Sequence, residues 1–225
     1  MQNKISCLIF DFDGVIANTD LGRFKALKQI LQNYDSNLSE TLSLSGLIGL
    51  STKSYLRHYT NILTDSQITE IVKQRHELFF SNLSSYCIPY ENMKETIEFF
   101  QSHFDLAIVT TNNKKNAVIL LEHLGIRKFF KWIIGREKSE NDNLIKSYSL
   151  IPSIINKKVH ECIVIEDSNI GVDAAKEEGF FCIRFDPENN FPKGNEDIKV
   201  MNYRELKDKI TENTHGNRVD CPVGS

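Results

Sequence analysis

Short apolar segments alternate with longer amphipathic segments along most of the chain, and this pattern predicts an α/β fold. Five runs rich in β-branched residues have the length and composition of buried strands. They lie around residues 5–11, 105–111, 132–135, 161–166 and 180–185. Between the later strands, apolar residues recur with the spacing of a helix at residues 114–124, 142–151 and 170–178. Strands that alternate with helices in this way form a doubly wound parallel sheet.

The interval between the first two predicted strands is too long for a single crossover helix. Within it, helical apolar spacing recurs at residues 21–33, 52–63 and 66–83. We therefore expect a helical subdomain at residues 17–85, inserted into a core formed by residues 1–16 and 86–210. Such an insert can act as a lid over an active site or as a purely structural element. The polar segment 211–225 is expected to be a disordered tail.

Composition and charge argue against nucleic-acid-binding, membrane-spanning and disulfide-rich classes of protein. The chain has 225 residues, of which 40% are hydrophobic and 25% charged, as in an ordinary globular protein. Its net charge is −3, with acids and bases well mixed, which argues against a nucleic-acid partner. No apolar run approaches the length of about 18 residues that a membrane span requires, and the N-terminus has no signal-peptide pattern. The five cysteines form no CxxC motif or Cys/His cluster, which favours reduced thiols in the cytoplasm.

Two aspartates end the first predicted strand. The apolar run at residues 8–10 is followed by Asp11 and Asp13, with Gly14 directly after them. Open α/β folds carry their functional groups at the carboxyl ends of the strands. Two carboxylates at the end of a buried strand repel each other and resist burial, so they need a cation, a shared proton or a catalytic role. The pair therefore favours metal-assisted chemistry.

Polar residues also end the second and fourth predicted strands. Thr110, Thr111 and Asn112 supply hydrogen-bond donors, although such residues also commonly cap the next helix. Glu166 and Asp167 form a second acidic pair. Capping explains one acid, but it does not explain two acids on each of two strands. Because Mg²⁺ prefers carboxylate oxygens, the sequence predicts a magnesium site where these strand ends meet.

The order of these motifs resembles that of the haloacid dehalogenase superfamily of phosphohydrolases. The run DFDG at residues 11–14, Thr110 at a strand end, a lysine after the third strand and the pair Glu166 and Asp167 occur in that family's order. The resemblance extends from the first strand to about residue 186. It implies a Rossmann-like core with strand order 3-2-1-4-5. The helical insert is similar to the cap of the family's β-phosphoglucomutase and phosphoglycolate phosphatase branch.

The resemblance also implies catalytic roles. Asp11 corresponds to the nucleophile that forms an aspartyl-phosphate, and Asp13 to the general acid that later acts as a base. Thr110 corresponds to the hydroxyl that holds the transferring phosphoryl group. Thr111 and Asn112 follow it on the same strand end and are expected to bind substrate.

The implied cofactor is Mg²⁺. Asp167 corresponds to its principal ligand, with Glu166 beside it, and the expected ligand set also includes Asp11 and Asp13, the latter through its backbone carbonyl.

The family also has a lysine after the third strand, which offsets negative charge at the site. We assign it to Lys138. Members of the family often have the motif Lys-Pro-x-Pro-Asp at this point, and this chain keeps the spacing from Lys138 to Asp142 but lacks both prolines. Lys146 is the alternative.

The leading expectation is a magnesium-dependent phosphatase acting on a small phosphorylated metabolite such as a sugar phosphate. The alternatives are a β-phosphoglucomutase-type isomerase and a non-catalytic phosphate- or magnesium-binding protein. The mutases usually have a histidine at the position of Arg23 and an arginine at the position of Thr52, so both residues argue against that activity. Arg23 is a candidate substrate-binding residue, or else part of a solvated surface. The sequence gives no indication of oligomeric state.

Overall fold

The chain folds into two compact units. The structure, a computed structural model, describes residues 4–47, 51–136 and 148–215. One unit, which we call the α/β unit, contains Met1–Ile16 and Tyr90–Ser225, and the other, the helical unit, contains Ala17–Pro89. The helical unit thus ends at residue 89, where the sequence suggested 85. Each unit is described by itself.

A six-stranded parallel sheet forms the centre of the α/β unit, with strand order 3-2-1-4-5-6. Its strands are β1 (Cys7–Phe10), β2 (Asp105–Asn113), β3 (Trp132–Arg136), β4 (Cys162–Glu166), β5 (Phe181–Phe185) and β6 (Ile198–Val200). The predicted fold class and the predicted order of the first five strands are confirmed. The sixth strand was not predicted, because three residues are too few to give an alternation pattern.

The strand β1 occupies the centre of this sheet. All four of its residues are buried, and Phe10 lies in register with Ile108 on β2 and with Ile165 on β4. The strand order reverses between β1 and β4. At such a reversal the connections leave the two strands on opposite sides, which opens a crevice at their carboxyl ends.

The helical unit packs its helices around its own apolar core. The helices are α1 (Thr19–Leu31), α2 (Ser36–Thr41), α3 (Leu44–Leu47), α4 (Thr52–Tyr59), α5 (Asp65–Ser81) and α6 (Leu83–Tyr86). Phe24 and Leu27 of α1 share this core with Ile68 and Ile71 of α5. A capping box between Thr64 and Gln67 fixes the start of α5.

The remaining helices belong to the α/β unit. They are α7 (Met93–Gln101), α8 (Lys114–His123), α9 (Ile151–Ile155), α10 (Asn169–Glu177) and α11 (Tyr203–His215). Helices α8 and α10 lie where helices were predicted. No helix within the described residues is long and apolar enough to cross a membrane.

Two predicted segments differ from the structure. The helix predicted at residues 142–151 is wrong at its end, because residues 148–150 lie outside any helix and α9 begins only at Ile151. Pro152 is in the first turn of α9, a position that favours a helix start. The tail predicted from residue 211 is wrong for residues 211–215, which continue α11. There the hydroxyls of Thr211 and Thr214 donate hydrogen bonds to carbonyls of the preceding turn. Residues 142–147 and 216–225 lie outside the described residues.

Candidate active site

The end of β1 brings Asp11 against the end of β4. The Asp11 amide donates to the Ile165 carbonyl at 2.9 Å, so the hydrogen-bond ladder between the two strands continues one residue past Phe10. Glu166 directly follows Ile165, and both Asp11 and Glu166 are buried. In-register neighbours in a parallel sheet point to the same face, so this ladder places two acidic side chains side by side.

Three carboxylates converge at this edge of the α/β unit. Asp11, Glu166 and Asp167 each have an oxygen within 4.8 Å of the corresponding oxygens of the other two. Carboxylates at this spacing repel one another unless a cation or a proton offsets their charge. Oxygen ligands in such a group match the preference of a hard divalent cation such as Mg²⁺. The residues present therefore fit the cation that the sequence suggested.

Buried contacts fix the orientation of the Glu166 carboxylate. The Tyr148 hydroxyl donates to its Oε1 at 2.8 Å, and the Asp167 amide donates to its Oε2 at 3.2 Å. Burial, followed by the negative charges of Glu166 and Asp11, raises the pKa of Tyr148 well above its usual value. Tyr148 therefore stays protonated and remains a hydrogen-bond donor. A Cβ on Gly171, in the first turn of α10, would lie 2.3 Å from the carboxylate oxygens of Glu166.

The loop after β1 lies directly against Asp167. Gly14 has a φ of +81°, which side-chain-bearing residues rarely adopt. A Cβ at this position would come within 2.0 Å of Oδ2 of Asp167. A glycine therefore lets the turn that carries Asp13 approach the second acidic pair. Asp13 itself is half-buried.

The backbone of Asp167 is held from the neighbouring strand. Arg184, on β5, donates from Nη1 to the Asp167 carbonyl at 3.0 Å and from Nε to Glu196 Oε2 at 3.0 Å. The side chains of Arg184 and Glu196 are each only 1% exposed. This buried ion pair thus anchors the main chain beside the acidic cluster.

The end of β2 contributes the hydroxyl and amide groups that the sequence suggested. Thr110 is buried, and its Oγ1 accepts a hydrogen bond from the Asn112 amide at 3.1 Å. Thr111 and Asn112 are half-buried, and the Nδ2 donor of Asn112 has no hydrogen-bond partner among the described residues. Since β2 is the other neighbour of β1, Thr110 lies at the same sheet edge as Asp11.

Arg23, Lys138 and Lys146 are not among the described residues of the α/β unit. Arg23 belongs to α1 of the helical unit. Lys138 and Lys146 lie outside the described residues, so the choice between them stays a prediction.

Sequence reasoning missed three residues that shape the site. Tyr148 and Gly171 surround Glu166, and Arg184 anchors Asp167. A signal existed for Arg184, because an arginine inside an otherwise apolar strand needs a buried partner. Tyr148 gave no such signal, since it follows a polar stretch and its partner lies 18 residues further along the chain.

Comparisons with known proteins agree with this arrangement. A sequence model of the family described as haloacid dehalogenase-like hydrolase matches residues 8–185, which include every described acidic residue of the site. The phosphorylated carbohydrates phosphatase of Thermotoga maritima is 26% identical to the chain over 178 residues, which cover 78% of this chain and 82% of that protein. Relatives of this kind support the prediction of a phosphoric monoester hydrolase.

Solved structures share the fold. A haloacid dehalogenase-like hydrolase from Streptococcus pneumoniae superimposes with a TM-score of 0.72 at 18% identity and covers 92% of this chain and 98% of its own. A β-phosphoglucomutase from Clostridium difficile gives 0.67 at 21% identity and covers 93% and 96%. At these identities the likeness extends to the fold and not to the substrate.

Proposed function

Because the chain belongs to the haloacid dehalogenase-like hydrolase family, we propose that it is a magnesium-dependent phosphatase of a small phosphorylated metabolite. The observation that carries this proposal is the convergence of Asp11, Glu166 and Asp167 at the strand ends. A sugar phosphate or a similar monoester is the proposed substrate, and the carbohydrate phosphatase activity named for the Thermotoga relative supports this choice.

We propose that the acidic residues hold Mg²⁺. Asp167 and Glu166 would hold it together with Asp11 and the backbone carbonyl of Asp13. A bound Mg²⁺ supplies positive charge that offsets the charge of the phosphoryl oxygens. The buried ion pair of Arg184 and the hydroxyl of Tyr148 act indirectly, because they fix Asp167 and Glu166 in place.

In the proposed mechanism the Asp11 carboxylate is the nucleophile. One of its oxygens attacks phosphorus, the bond from phosphorus to the substrate oxygen breaks, and Asp13 gives its proton to the departing oxygen. Asp13 then removes a proton from a water molecule, which attacks phosphorus. This second step breaks the bond to Asp11, releases inorganic phosphate and returns Asp13 to its protonated form.

Donor groups would hold the phosphoryl oxygens during both steps. We assign this role to the hydroxyl of Thr110 and to the groups of Thr111 and Asn112 that follow it. We assign a charge-offsetting role to Lys138 from the family's motif order.

We also propose a cytoplasmic location. The cysteines within the described residues are buried free thiols, which are typical of proteins in a reducing compartment. Fractionation of the source cells, with detection of the protein by antibody, tests this location.

The test of the activity is phosphate release from a panel of sugar phosphates and p-nitrophenyl phosphate in the presence of Mg²⁺. We expect Asp11→Asn to lower the rate by about 10³-fold or more, since it removes the nucleophile. Asp208→Asn is the matched control, because it makes the same acid-to-amide change at an exposed position of α11.

Three outcomes would contradict the phosphatase proposal. Equal rates for the wild type and Asp11→Asn would exclude Asp11 as the nucleophile. Interconversion of β-glucose 1-phosphate and glucose 6-phosphate without net phosphate release would identify a mutase. Binding of phosphate esters without any turnover would identify a non-catalytic binding protein.

A further inference from the structure

Two cysteines lie side by side where the central strands of the α/β unit begin. Cys7 is the first residue of β1 and Cys162 the first residue of β4, and the two are in register. Both are buried free thiols. In-register residues of neighbouring strands point to the same face, with their Cα atoms about 4.8 Å apart. A disulfide spans roughly 4.4–6.8 Å between these atoms, so the backbone already brings the two residues within bridging distance.

The two thiols differ in how readily they lose a proton. A hydrogen bond joins them, and this bond, followed by burial, raises the pKa of Cys7. The same bond lowers the pKa of Cys162 although burial acts in the opposite direction, and the positive charge of Lys157 adds to the lowering. Since the thiolate is the reactive form of cysteine, Cys162 is the better nucleophile, and Cys7 keeps its proton beside it.

A third buried cysteine of the same unit gives the contrast. Cys182, on β5, belongs to the same apolar cluster as Cys7 and Cys162. It is in register with Val164, two residues beyond Cys162 on β4, so its Cα lies about 8 Å from that of Cys162. This exceeds the limit of about 7 Å for a disulfide, and burial raises the pKa of Cys182. Burial alone therefore does not prepare a thiol for bridging, whereas the register of β1 and β4 does.

We propose that Cys7 and Cys162 form a site of reversible oxidation, at which hydrogen peroxide converts the two thiols into a disulfide. The sulfur of Cys162, after losing its proton, attacks one peroxide oxygen, and the O–O bond breaks. Cys162 becomes a sulfenic acid, and the departing hydroxide takes up a proton to form water. The sulfur of Cys7 then attacks that of Cys162, the S–O bond breaks, and the hydroxyl leaves as a second water with the proton of Cys7. The two thiols lose two electrons and the peroxide gains them.

Burial and strand spacing determine how this site reacts. Hydrogen peroxide is small, and both cysteines begin their strands, where local opening requires less free energy than in the middle of the sheet. Side chains of in-register neighbours are about as far apart as the strands, which is more than the usual Cβ separation of roughly 3.5–4.5 Å in a disulfide. The bridge is therefore strained, and small thiols reduce it readily. A disulfide of this kind forms under oxidative conditions and is lost again in a reducing compartment.

Mass spectrometry of the wild-type protein tests the site directly. The folded protein is treated with hydrogen peroxide, its remaining thiols are alkylated in denaturant, and a digest is analysed without reduction. We expect alkylation to be lost at both Cys7 and Cys162 and a cross-linked pair of their peptides to appear, while Cys182 stays alkylated. Dithiothreitol, added before alkylation, is expected to restore both thiols. Full alkylation of Cys7 and Cys162 after an exposure that oxidises free cysteine would overturn the proposal, as would a bridge from either residue to another cysteine.

Single substitutions test the order of the two steps. In Cys7→Ser the sulfenic acid at Cys162 has no thiol to attack it, so we expect it to persist and to react with dimedone. In Cys162→Ser we expect no dimedone adduct at Cys7. Cys182→Ser is the matched control, because it removes a buried thiol of the same cluster, and it is expected to leave the yield of the cross-link unchanged. Labelling of Cys7 but not of Cys162 would overturn the assignment of Cys162 as the attacking residue. None of these measurements depends on phosphate release, so their result is independent of the proposed phosphatase function.

Discussion

Substitution of Gly171 by alanine is expected to destabilise the protein, whereas the same change in an ordinary helix stabilises it. In an ordinary helical position this change stabilises by up to about 1 kcal/mol. At Gly171 the added Cβ would lie 2.3 Å from both carboxylate oxygens of Glu166 and from the carbon between them. Glu166 is only 1% exposed and is held by Tyr148, so its carboxylate cannot turn away without losing a buried hydrogen bond.

The size of the effect follows from these contacts. Overpacking of a buried position costs about 1–3 kcal/mol, and a hydrogen bond to a buried charged group contributes about 1.5–3 kcal/mol. After the helical gain is subtracted, Gly171→Ala is expected to lower the free energy of unfolding by about 1.5–5 kcal/mol. In a chain of this size each 1 kcal/mol lowers Tm by about 2–4 °C.

Urea unfolding followed by circular dichroism measures this change. Ile170→Ala is the control, because Ile170 is the preceding residue of α10 and is exposed, so its loss is expected to change stability little. A Gly171→Ala variant as stable as the wild type, or more stable, would refute the reasoning, because it would mean that the Glu166 carboxylate does not lie against α10.

The metal site, the buried ion pair of Arg184 and the carboxylate of Asp186 can each be tested by a change in stability. Mg²⁺ is expected to raise the Tm of the wild type in a concentration-dependent manner and to have a much smaller effect on Asp167→Asn, as measured by differential scanning calorimetry with EDTA as the reference. Arg184→Met is expected to cost about 3–5 kcal/mol in urea unfolding because it leaves Glu196 buried without its cation, and adding Glu196→Met should restore most of that stability. Burial alone would raise the pKa of Asp186, but hydrogen bonds from Lys199 and two backbone amides lower it. The resulting stability is present above the unfolded pKa of about 3.9 and is lost as the pH falls through the folded value, so Asp186→Asn should flatten the fall in unfolding free energy below about pH 4.

The sheet and the acidic cluster could be predicted because both depend on local pattern and on a general rule of topology. Buried parallel strands are short apolar runs, and their carboxyl ends meet at one edge of the sheet. Asp11 and Asp167 could therefore be placed together although more than 150 residues separate them. The same reasoning predicted that Thr110 lies at the edge of the sheet that carries Asp11.

The residues that orient the cluster could not be predicted, because they depend on contacts that leave no periodic pattern. Tyr148 reaches Glu166 from a turn, and Arg184 binds a backbone carbonyl, which any residue type would present. The last turn of α11 was missed for a different reason. Its threonines have low helix propensity, but Ile210 is buried and anchors the helix by packing.

The central claim is that Asp11 accepts the phosphoryl group, and chemical trapping tests it most directly. The protein is mixed with Mg²⁺ and a sugar phosphate that it hydrolyses, quenched in acid and reduced with sodium borohydride, which converts an aspartyl-phosphate to homoserine. Mass spectrometry of the peptide that contains β1 then identifies the modified residue. We expect homoserine at position 11 only when both the substrate and Mg²⁺ are present. Steady phosphate release with no modification of Asp11 in the trapped protein would contradict it.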